Sequence, residues 1–307
     1  MNKNIKAKVK NLFFFIPFLL FISLFLILPL LKTFYESFIV FAKYKKTSYS
    51  FGIENFVKVF NDNNFYISIK NSSFLFFVPT FFSILVSFIF SYNLAKLLIK
   101  KKNNLFLRII YSQFFISNFA IGIAFLILFG EKNLFFKLFN SNKSFLNGNE
   151  RISILLYYFI FQVWRSLPFN IVIFTFAFLQ LNTKYKLPFF QDNLTFKDKF
   201  INIYIKEFQK YFKLIFYTNS IFSFLLYPGS ILPEEKIEHL EAQTIASYII
   251  NLINPINGGI EIDPHKAYAA SFIILIYIFF LFSCFYISIK ILKKVIYIMR
   301  EKKWKKL

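Results

Sequence analysis

Long apolar runs alternate with short, mostly basic segments along the whole chain. Crossing a hydrocarbon core of about 30 Å takes about 20 apolar residues in a helix, because the backbone polar groups must be satisfied within the helix itself. The pattern therefore predicts an all-α polytopic membrane protein with about six transmembrane helices. The predicted spans cover residues 12–31, 73–92, 109–130, 152–180, 211–227 and 268–289.

Two of these runs allow more than one interpretation. The first follows four lysines within residues 1–11, as a signal peptide would, but it is long and lacks a small-residue cleavage site, which favours a retained span. The fourth is too long for one straight crossing and contains Pro168, so we expect a kink or a tilt. Two short helices are the alternative.

The basic residues between the runs predict an orientation, because cytoplasmic loops retain Lys and Arg. With the N-terminus inside, the cytoplasmic segments hold 23 basic residues and the outer loops hold 12, and the last outer loop, residues 229–267, is acidic. We therefore expect a multi-pass plasma-membrane protein with a transmembrane domain over residues 12–289. Its N-tail (1–11) and basic C-tail (290–307) are then both cytoplasmic, and the C-tail is typical of an anchor on the anionic inner leaflet.

The composition agrees with a location in the membrane. The 307 residues are 57% hydrophobic and carry a formal charge of +22. A nucleic-acid-binding protein would place such a charge on one face of a soluble fold, whereas here the loops between apolar runs account for it. Cys284 is the single cysteine and lies in the last run, so no intramolecular disulfide is expected and the thiol is expected to be buried.

No nucleotide-binding or catalytic motif occurs in the chain. The seven glycines do not form the Gly-x-x-x-x-Gly-Lys-Ser/Thr loop that binds phosphates, so the chain is expected not to hydrolyse ATP or to bind a cofactor. His239 and His265 have no second ligand at metal-site spacing, and no serine or cysteine arrangement indicates nucleophilic catalysis. Acidic residues are absent from the predicted spans, which disfavours proton-coupled transport.

Several segments occur in an order that resembles one family of transporters. Residues 51–56 (FGIENF) and 69–71 (IKN) are similar to segments between the family's first two spans, and residues 163–170 (VWRSLPFN) are similar to a Trp-x-x-Leu-Pro-Phe segment of the fourth span. Residues 244–250 and 267–271 resemble the stretches before the last span. Over almost its whole length the chain thus resembles the MalF- or UgpA-type permease subunits of binding-protein-dependent ABC importers. The resemblance implies a type I permease fold, with pore or kink candidates at Trp164, Arg165, Pro168 and Asn170.

The family's hallmark is a cytoplasmic loop, Glu-Ala-Ala-x-x-Asp-Gly-Ala-x9-Ile-x-Leu-Pro, whose short helix docks on the ATPase subunit. Its place in this chain is residues 181–210, where the Glu-Ala-Ala positions hold Leu, Pro and Phe, so the loop is a degenerate form of the pattern. An asparagine in place of the glycine is a mild change, because Asn adopts left-handed turns. The resemblance assigns coupling to the ATPase to Pro188, Asp192, Asn193, Phe200 and Ile203. The alternative is a solvated basic connector.

The resemblance also implies a function and a set of partners. It implies half of the translocation pathway of an ATP-driven importer for a sugar, a polyol or glycerol phosphate, working by alternating access. The implied partners are a second permease subunit, a dimer of ATPase subunits that binds ATP and Mg²⁺, an extracellular substrate-binding lipoprotein and the lipid bilayer, with no nucleic acid. The alternatives are a transport-inactive or structural membrane subunit and a membrane-embedded lipid-modifying enzyme.

Overall fold

Helices form almost all of the computed structural model, which describes residues 15–42, 45–101, 105–113, 116, 118–130, 132–147, 151–187, 195, 199–255 and 262–304. A short β-hairpin is added to the all-α architecture that the sequence predicts. In chain order the elements are α1 (Phe15–Ser37, with a π-helical turn at Ser23–Ile27), β1 (Ile39–Ala42), β2 (Lys45–Phe51), α2 (Glu54–Phe60), α3 (Asn63–Lys101), α4 (Leu105–Ser112), α5 (Asn118–Phe129), α6 (Leu134–Leu138), α7 (Ile154–Lys184), α8 (a π-helical turn, Phe200–Tyr204, continued by Ile205–Glu207), α9 (Gln209–Phe224), α10 (Glu234–His239), α11 (Ile245–Ile253) and α12 (Pro264–Trp304).

Among the described residues, four helical stretches are long and apolar enough to cross a membrane: Phe15–Ser37, Asn63–Ile99, Ile154–Lys184 and Pro264–Ile291. They overlap the first, second, fourth and sixth predicted spans. The fifth predicted span corresponds to α9, which has 16 residues. The third covers α4 and α5, and residues 114, 115 and 117 between these helices lie outside the described part of the chain. The total of six spans stays a prediction.

The chain divides into two compact units, and the first consists of Met1–Asn63 with Ile249–Leu307. In this unit α1 packs against α12, where the rings of Phe34 and Phe272 have centroids 4.9 Å apart. Strands β1 and β2 pair antiparallel with Ile39 opposite Phe51. The buried side chain of Asn55 donates to the carbonyl oxygens of Ser37 (3.1 Å) and Ile39 (2.8 Å). The asparagine of the FGIENF segment therefore ties α2 to the start of the hairpin.

The start of α12 is held by charged side chains of the same unit. The Asp263 carboxylate accepts from the backbone N–H of Lys266 at 3.0 Å and so caps the helix. The Lys266 ammonium in turn contacts Asp62 at 2.6 Å. Along the rest of α12 many side chains are exposed, as is expected of a lipid-facing helix, and Cys284 is among them. The expectation of a buried thiol is therefore wrong, because the last apolar run is a surface helix.

In the second unit, Asn64–Tyr248, two large apolar clusters lie on α7, and a smaller one joins Ile171 to Leu94 and Leu98 of α3. The first joins Phe125 and Tyr157 to the segment after α9, including Ile231 and Leu240. The second joins Phe174 and Phe178 to Phe208 of the segment between α8 and α9. The two clusters lie at opposite ends of α7, and polar side chains occupy the stretch between them.

Candidate functional site

One stripe of α7 with a spacing of four residues is completely buried. Its members are Tyr158, Gln162, Ser166, Asn170, Phe174 and Phe178. Residues four apart lie on the same face of a helix, so the stripe faces the interior along five turns. Its ends are aromatic and its middle is polar, which places an amide, a hydroxyl and a second amide inside the unit.

A polar layer (Ser83, Gln162, Ser166, Asn170, Asn219 and Ser223) joins α3, α7 and α9 at this level. The hydroxyls of Ser166 and Ser83 are 2.9 Å apart, and the Asn170 amide donates to Ser83 at 2.8 Å. The Asn219 amide donates to Asn170 Oδ1 at 3.3 Å. Hydrogen bonds between helices in a membrane are worth about 0.6 kcal/mol on average, so the layer sets the register of three helices more than it adds stability.

Two side-chain oxygens of the polar layer accept no hydrogen bond from the described part of the chain. Gln162 donates to Ser223 at 3.0 Å through Nε2, while its Oε1 is buried and accepts no hydrogen bond from the described residues. The same holds for Asn219 Oδ1. Buried acceptors of this kind are normally satisfied, so these two oxygens mark the polar layer as a place where water or a polar ligand group would be stabilised.

Pro79 of α3 and Pro168 of α7 both lie inside a helix, and in each case a side chain from a neighbouring segment bonds the carbonyl that the proline leaves free. A proline lacks the N–H that would bond to the carbonyl four residues earlier, so Pro79 of α3 frees the carbonyl of Leu75 and Pro168 of α7 frees that of Trp164. Ser223 donates to Leu75 O at 3.2 Å, and Gln113 donates to Trp164 O at 3.5 Å. The fourth predicted span lies in a single helix, Ile154–Lys184, that continues through Pro168. The alternative of two short helices is therefore wrong.

The sequence candidates of the fourth span therefore have different surroundings. Asn170 belongs to the polar layer, whereas Trp164 is 38% exposed and packs its ring 6.0 Å from that of Phe125. The Arg165 guanidinium lies over the Phe222 ring at 4.5 Å, and its Nη1 donates to Phe222 O at 3.3 Å. That carbonyl is in the last turn of α9, where helix carbonyls lack partners and a cation is favourable. Arg165 thus caps α9.

Side chains of α3 and α7 also satisfy the irregular segment that follows α9. Asn71 donates to the carbonyls of Glu241 (2.7 Å) and Gln243 (2.8 Å). The Tyr157 hydroxyl donates to Ile231 O, and the Tyr158 hydroxyl donates to Ala242 O. Non-helical backbone is tolerated beside a membrane core only where protein groups satisfy it. Asn71 was singled out in the sequence by motif alone, and this is its structural role.

The loop between α7 and α9 is described only in part. Pro188, Asp192 and Asn193 lie outside the described residues. Phe200 and Ile203 belong to the π-helical turn of α8. Phe200 is 37% exposed with its ring 6.0 Å from that of Phe88, and Ile203 packs on the cluster around Phe208.

The base of this loop is closed by polar contacts between α7 and α8. The Lys184 ammonium and the Tyr185 hydroxyl both donate to Glu207 Oε1, each at 2.7 Å. The hydrogen bond from Lys184 lowers the pKa of the Glu207 carboxyl, with a second contribution from Tyr185. The carboxylate is therefore ionised at neutral pH. The sequence analysis did not identify Lys184, Tyr185 or Glu207 as site residues. A signal was present, because the polar residues at 180 and 184 and those at 207 and 211 are each four apart, as on two facing helices.

The described residues contain no group of three or more His, Cys, Asp or Glu side chains that would hold a metal ion. Within the described part of the chain, the site is built from amides, hydroxyls and aromatic rings, with Arg165 at one border and the ion pair of Lys184 and Glu207 at the other. Such groups hold polar uncharged molecules by hydrogen bonding and stacking and offer no nucleophile with an activating base.

Two curated proteins and one solved structure are similar to this chain. No family model matches it. It is 27% identical over 177 residues to the Mycoplasma genitalium protein named "Probable ABC transporter permease protein MG188", covering 56% of this chain and 54% of that protein. It is 26% identical over 183 residues to the Mycoplasma pneumoniae homolog of that protein, covering 58% and 56%. The chain thus spans about half the length of the curated relatives it matches.

One solved structure shares the fold over almost the entire chain. It is the crystal structure of a bacterial ABC transporter involved in the import of the acidic polysaccharide alginate, and the match has a TM-score of 0.61 with 19% sequence identity. The match covers 90% of this chain and 93% of that chain. At this identity the likeness establishes the fold alone. With the apolar helices and the relatives named above, it makes this chain a multi-pass membrane protein of all-α, permease-like fold.

Proposed function

We propose that this chain is the membrane-spanning permease subunit of an ABC importer and forms half of its translocation pathway. The observation that carries the proposal is the fold shared with a chain of an alginate importer over 90% of this chain. The two mycoplasma proteins named as ABC transporter permeases support it independently, because they were matched by sequence and not by shape.

The substrate we propose is a sugar, a polyol or glycerol phosphate, within the MalF- or UgpA-type group of permeases. The alginate importer supports a carbohydrate, and the amides and hydroxyls of the polar layer suit a ligand rich in hydroxyl groups. The motif residues Asn55 and Asn71 support membership in this group of permeases, because each has a structural role. Asn55 donates to the backbone before the hairpin, and Asn71 donates to the backbone of the segment after α9.

The mechanism we propose is alternating access driven from outside this chain. ATP and Mg²⁺ bind to a separate pair of ATPase subunits, a substrate-binding lipoprotein docks on the outer side, and a second permease completes the pathway. The loop between α7 and α9 receives the motion of the ATPases, with Phe200 and Ile203 of α8 in the docking helix. Both termini then face the cytoplasm, as the loop charges predict.

Two other functions are distinguished by one experiment. A transport-inactive or structural subunit is favoured by the Leu, Pro and Phe that stand at residues 187–189 in place of Glu-Ala-Ala. A lipid-modifying enzyme would need reactive groups converging at one interface, and the described residues place amides and hydroxyls inside the unit instead.

The experiment is a pull-down of the tagged full chain from mild detergent, with mass spectrometry of its partners and an ATPase assay on the eluate. We expect an ATPase, a second polytopic permease and a binding lipoprotein. Recovery of the permease pair without ATPase would favour the structural subunit, and recovery of this chain alone would contradict the importer.

Replacing Phe200 by aspartate should remove the ATPase from this complex. The change puts a carboxylate where α8 presents a partly exposed ring, and we expect at least about tenfold less ATPase in the eluate, a loss of about 1.4 kcal/mol or more in association. The matched control is Tyr49→Asp, which changes a half-exposed aromatic of β2. Equal ATPase recovery with Phe200→Asp, from a variant that elutes as a single species in gel filtration, would remove the docking role.

A further inference from the structure

The loop between α7 and α9 leaves and re-enters the unit at the same place. Lys184 and Tyr185 end α7, and Glu207 ends α8, so the contacts among them join positions 22 and 23 residues apart. The end of α7 and the end of α8 are therefore held together by one carboxylate oxygen.

A second contact lies one helical turn away and repeats the first. The Tyr211 hydroxyl of α9 donates to Gln180 Oε1 of α7. Gln180 and Lys184 are four residues apart on α7, and Glu207 of α8 and Tyr211 of α9 are also four apart. The two hydrogen-bonded pairs therefore lie one helical turn from each other along the facing helices. This spacing requires α8 and α9 to keep one register along α7.

An aromatic cluster on the same helices supports the rungs. The ring of Phe208 lies 4.7 Å from that of Phe178 and 5.6 Å from that of Tyr204. Phe208 itself is buried, and it follows Glu207 directly in the chain. A movement of Glu207 relative to Lys184 would therefore have to displace a packed ring, which couples the polar contact to the core.

The exposure of the two side chains determines how strongly the contact between Lys184 and Glu207 stabilises the structure. Ion pairs between exposed side chains contribute little, and the Lys184 side chain is 55% exposed. The Glu207 side chain is only 21% exposed, and it receives two donors rather than one. Hydrogen bonds to a charged acceptor are about twice as strong as neutral ones. The two hydrogen bonds to Glu207 therefore hold its position more firmly than a single exposed ion pair would.

We propose that Lys184, Tyr185 and Glu207 form a loop-base clamp, a set of positioning residues that holds α8 in one position against the end of α7. The inference rests on the proposed function for its meaning in transport. Motion imposed on α8 from outside is then passed to α7, whose polar layer lies about 20 to 30 Å further along the helix at 1.5 Å per residue. In a loop whose Glu-Ala-Ala positions hold other residues, this clamp supplies the rigidity that transmission requires.

The first test measures the loop in the chain alone. On a Cys284→Ser background, spin labels replace the exposed residues Thr183 and Thr195, and their distance distribution is measured in lipid nanodiscs. We expect a narrow distribution in the parent, a broader one in Glu207→Gln, and one of intermediate width in the charge-swapped pair Lys184→Glu with Glu207→Lys, which keeps the ion pair but leaves the Tyr185 hydroxyl without an acceptor at position 207. The control is Lys206→Gln, an exposed neighbour of Glu207. An unchanged distribution in Glu207→Gln would overturn the clamp.

The second test measures transmission in the purified complex. We expect Glu207→Gln to lower kcat for ATP hydrolysis about fivefold with KM for ATP unchanged, and the charge swap to restore part of the loss, because the clamp acts on coupling and not on nucleotide binding. A broadened loop with unchanged kcat would overturn the positioning role. If the distances behave as expected but no ATPase co-purifies with the parent chain, the proposed function and the role in transmission fail, whereas closure of the loop base stands.

Discussion

Replacing Phe208 by alanine should lower the free energy of unfolding of the second unit by about 3 to 5 kcal/mol, the usual result of truncating a fully buried aromatic ring. Phe208 is 1% exposed and lies at the centre of the second apolar cluster on α7, the one that contains Phe174 and Phe178. Its ring contacts those of Phe88 (5.6 Å), Phe174 (5.9 Å), Phe178 (4.7 Å), Tyr204 (5.6 Å) and Tyr211 (6.1 Å). The loss would leave a cavity between α3, α7 and the α8–α9 segment, and it is measured from SDS-induced unfolding in mixed micelles.

The matched control is Phe176→Ala on the same helix bundle. Phe176 of α7 is 52% exposed, so its truncation removes lipid or detergent contacts rather than packed protein. We expect a change within about 0.5 kcal/mol, as for surface substitutions in general. Equal losses for the two variants would mean that the cluster around Phe208 is not packed as described.

Replacing Gly122 by alanine should destabilise the same unit by about 3 kcal/mol or prevent its assembly, the upper range for overpacking. In the middle of α5 the intrinsic helix propensity favours alanine by about 1 kcal/mol, so propensity alone would predict a gain. The added Cβ would overlap the carbonyl oxygen of Ser230, which is backbone and cannot rotate away. The clash therefore outweighs the propensity. Thermal inactivation followed by gel filtration of the tagged chain measures the result.

Gly52→Ala provides the comparison for this second prediction. At Gly52 the added Cβ would meet Val40 Cγ2 at 3.6 Å, an ordinary van der Waals distance. We expect this variant to match the parent within about 0.5 kcal/mol. A stable Gly122→Ala protein would show that the short 3₁₀ turn Pro228–Ser230, which follows α9, does not pack closely against Gly122 of α5.

The positions of several structural residues were recognisable in the sequence before their roles were known. Asn55 and Asn71 stood out as parts of short motifs, but a motif does not say which carbonyl an amide will meet. Both bond to backbone that is distant in sequence, 16 to 18 residues away for Asn55 and 170 to 172 for Asn71. Only the fold brings those carbonyls within reach.

Candidate residues for the site were predicted with mixed results. Asn170 lies in the polar layer, whereas its hydrogen-bond partners Ser83 and Asn219, and Gln162 of the same layer, were not named in advance. A search for polar residues at four-residue spacing within an apolar run would have found Gln162, Ser166 and Asn170 as one stripe. Ser83 and Asn219 lie on other helices, and no periodicity within α7 points to them.

The sequence by itself determined the apolar helices, the places where prolines interrupt their hydrogen bonding, and the basic segments between them, because each of these depends on residues within one or two turns of each other. The tertiary structure decided which side chains bond to the backbone carbonyls and charged groups that this local sequence leaves without partners. Pro79 and Pro168 free the carbonyls of Leu75 and Trp164 as a local consequence, but Ser223 and Gln113 reach those carbonyls only because the helices pack side by side. The same holds for Lys184 and Glu207, whose charges were evident in the sequence and whose contact exists because the loop returns to the end of the helix it left.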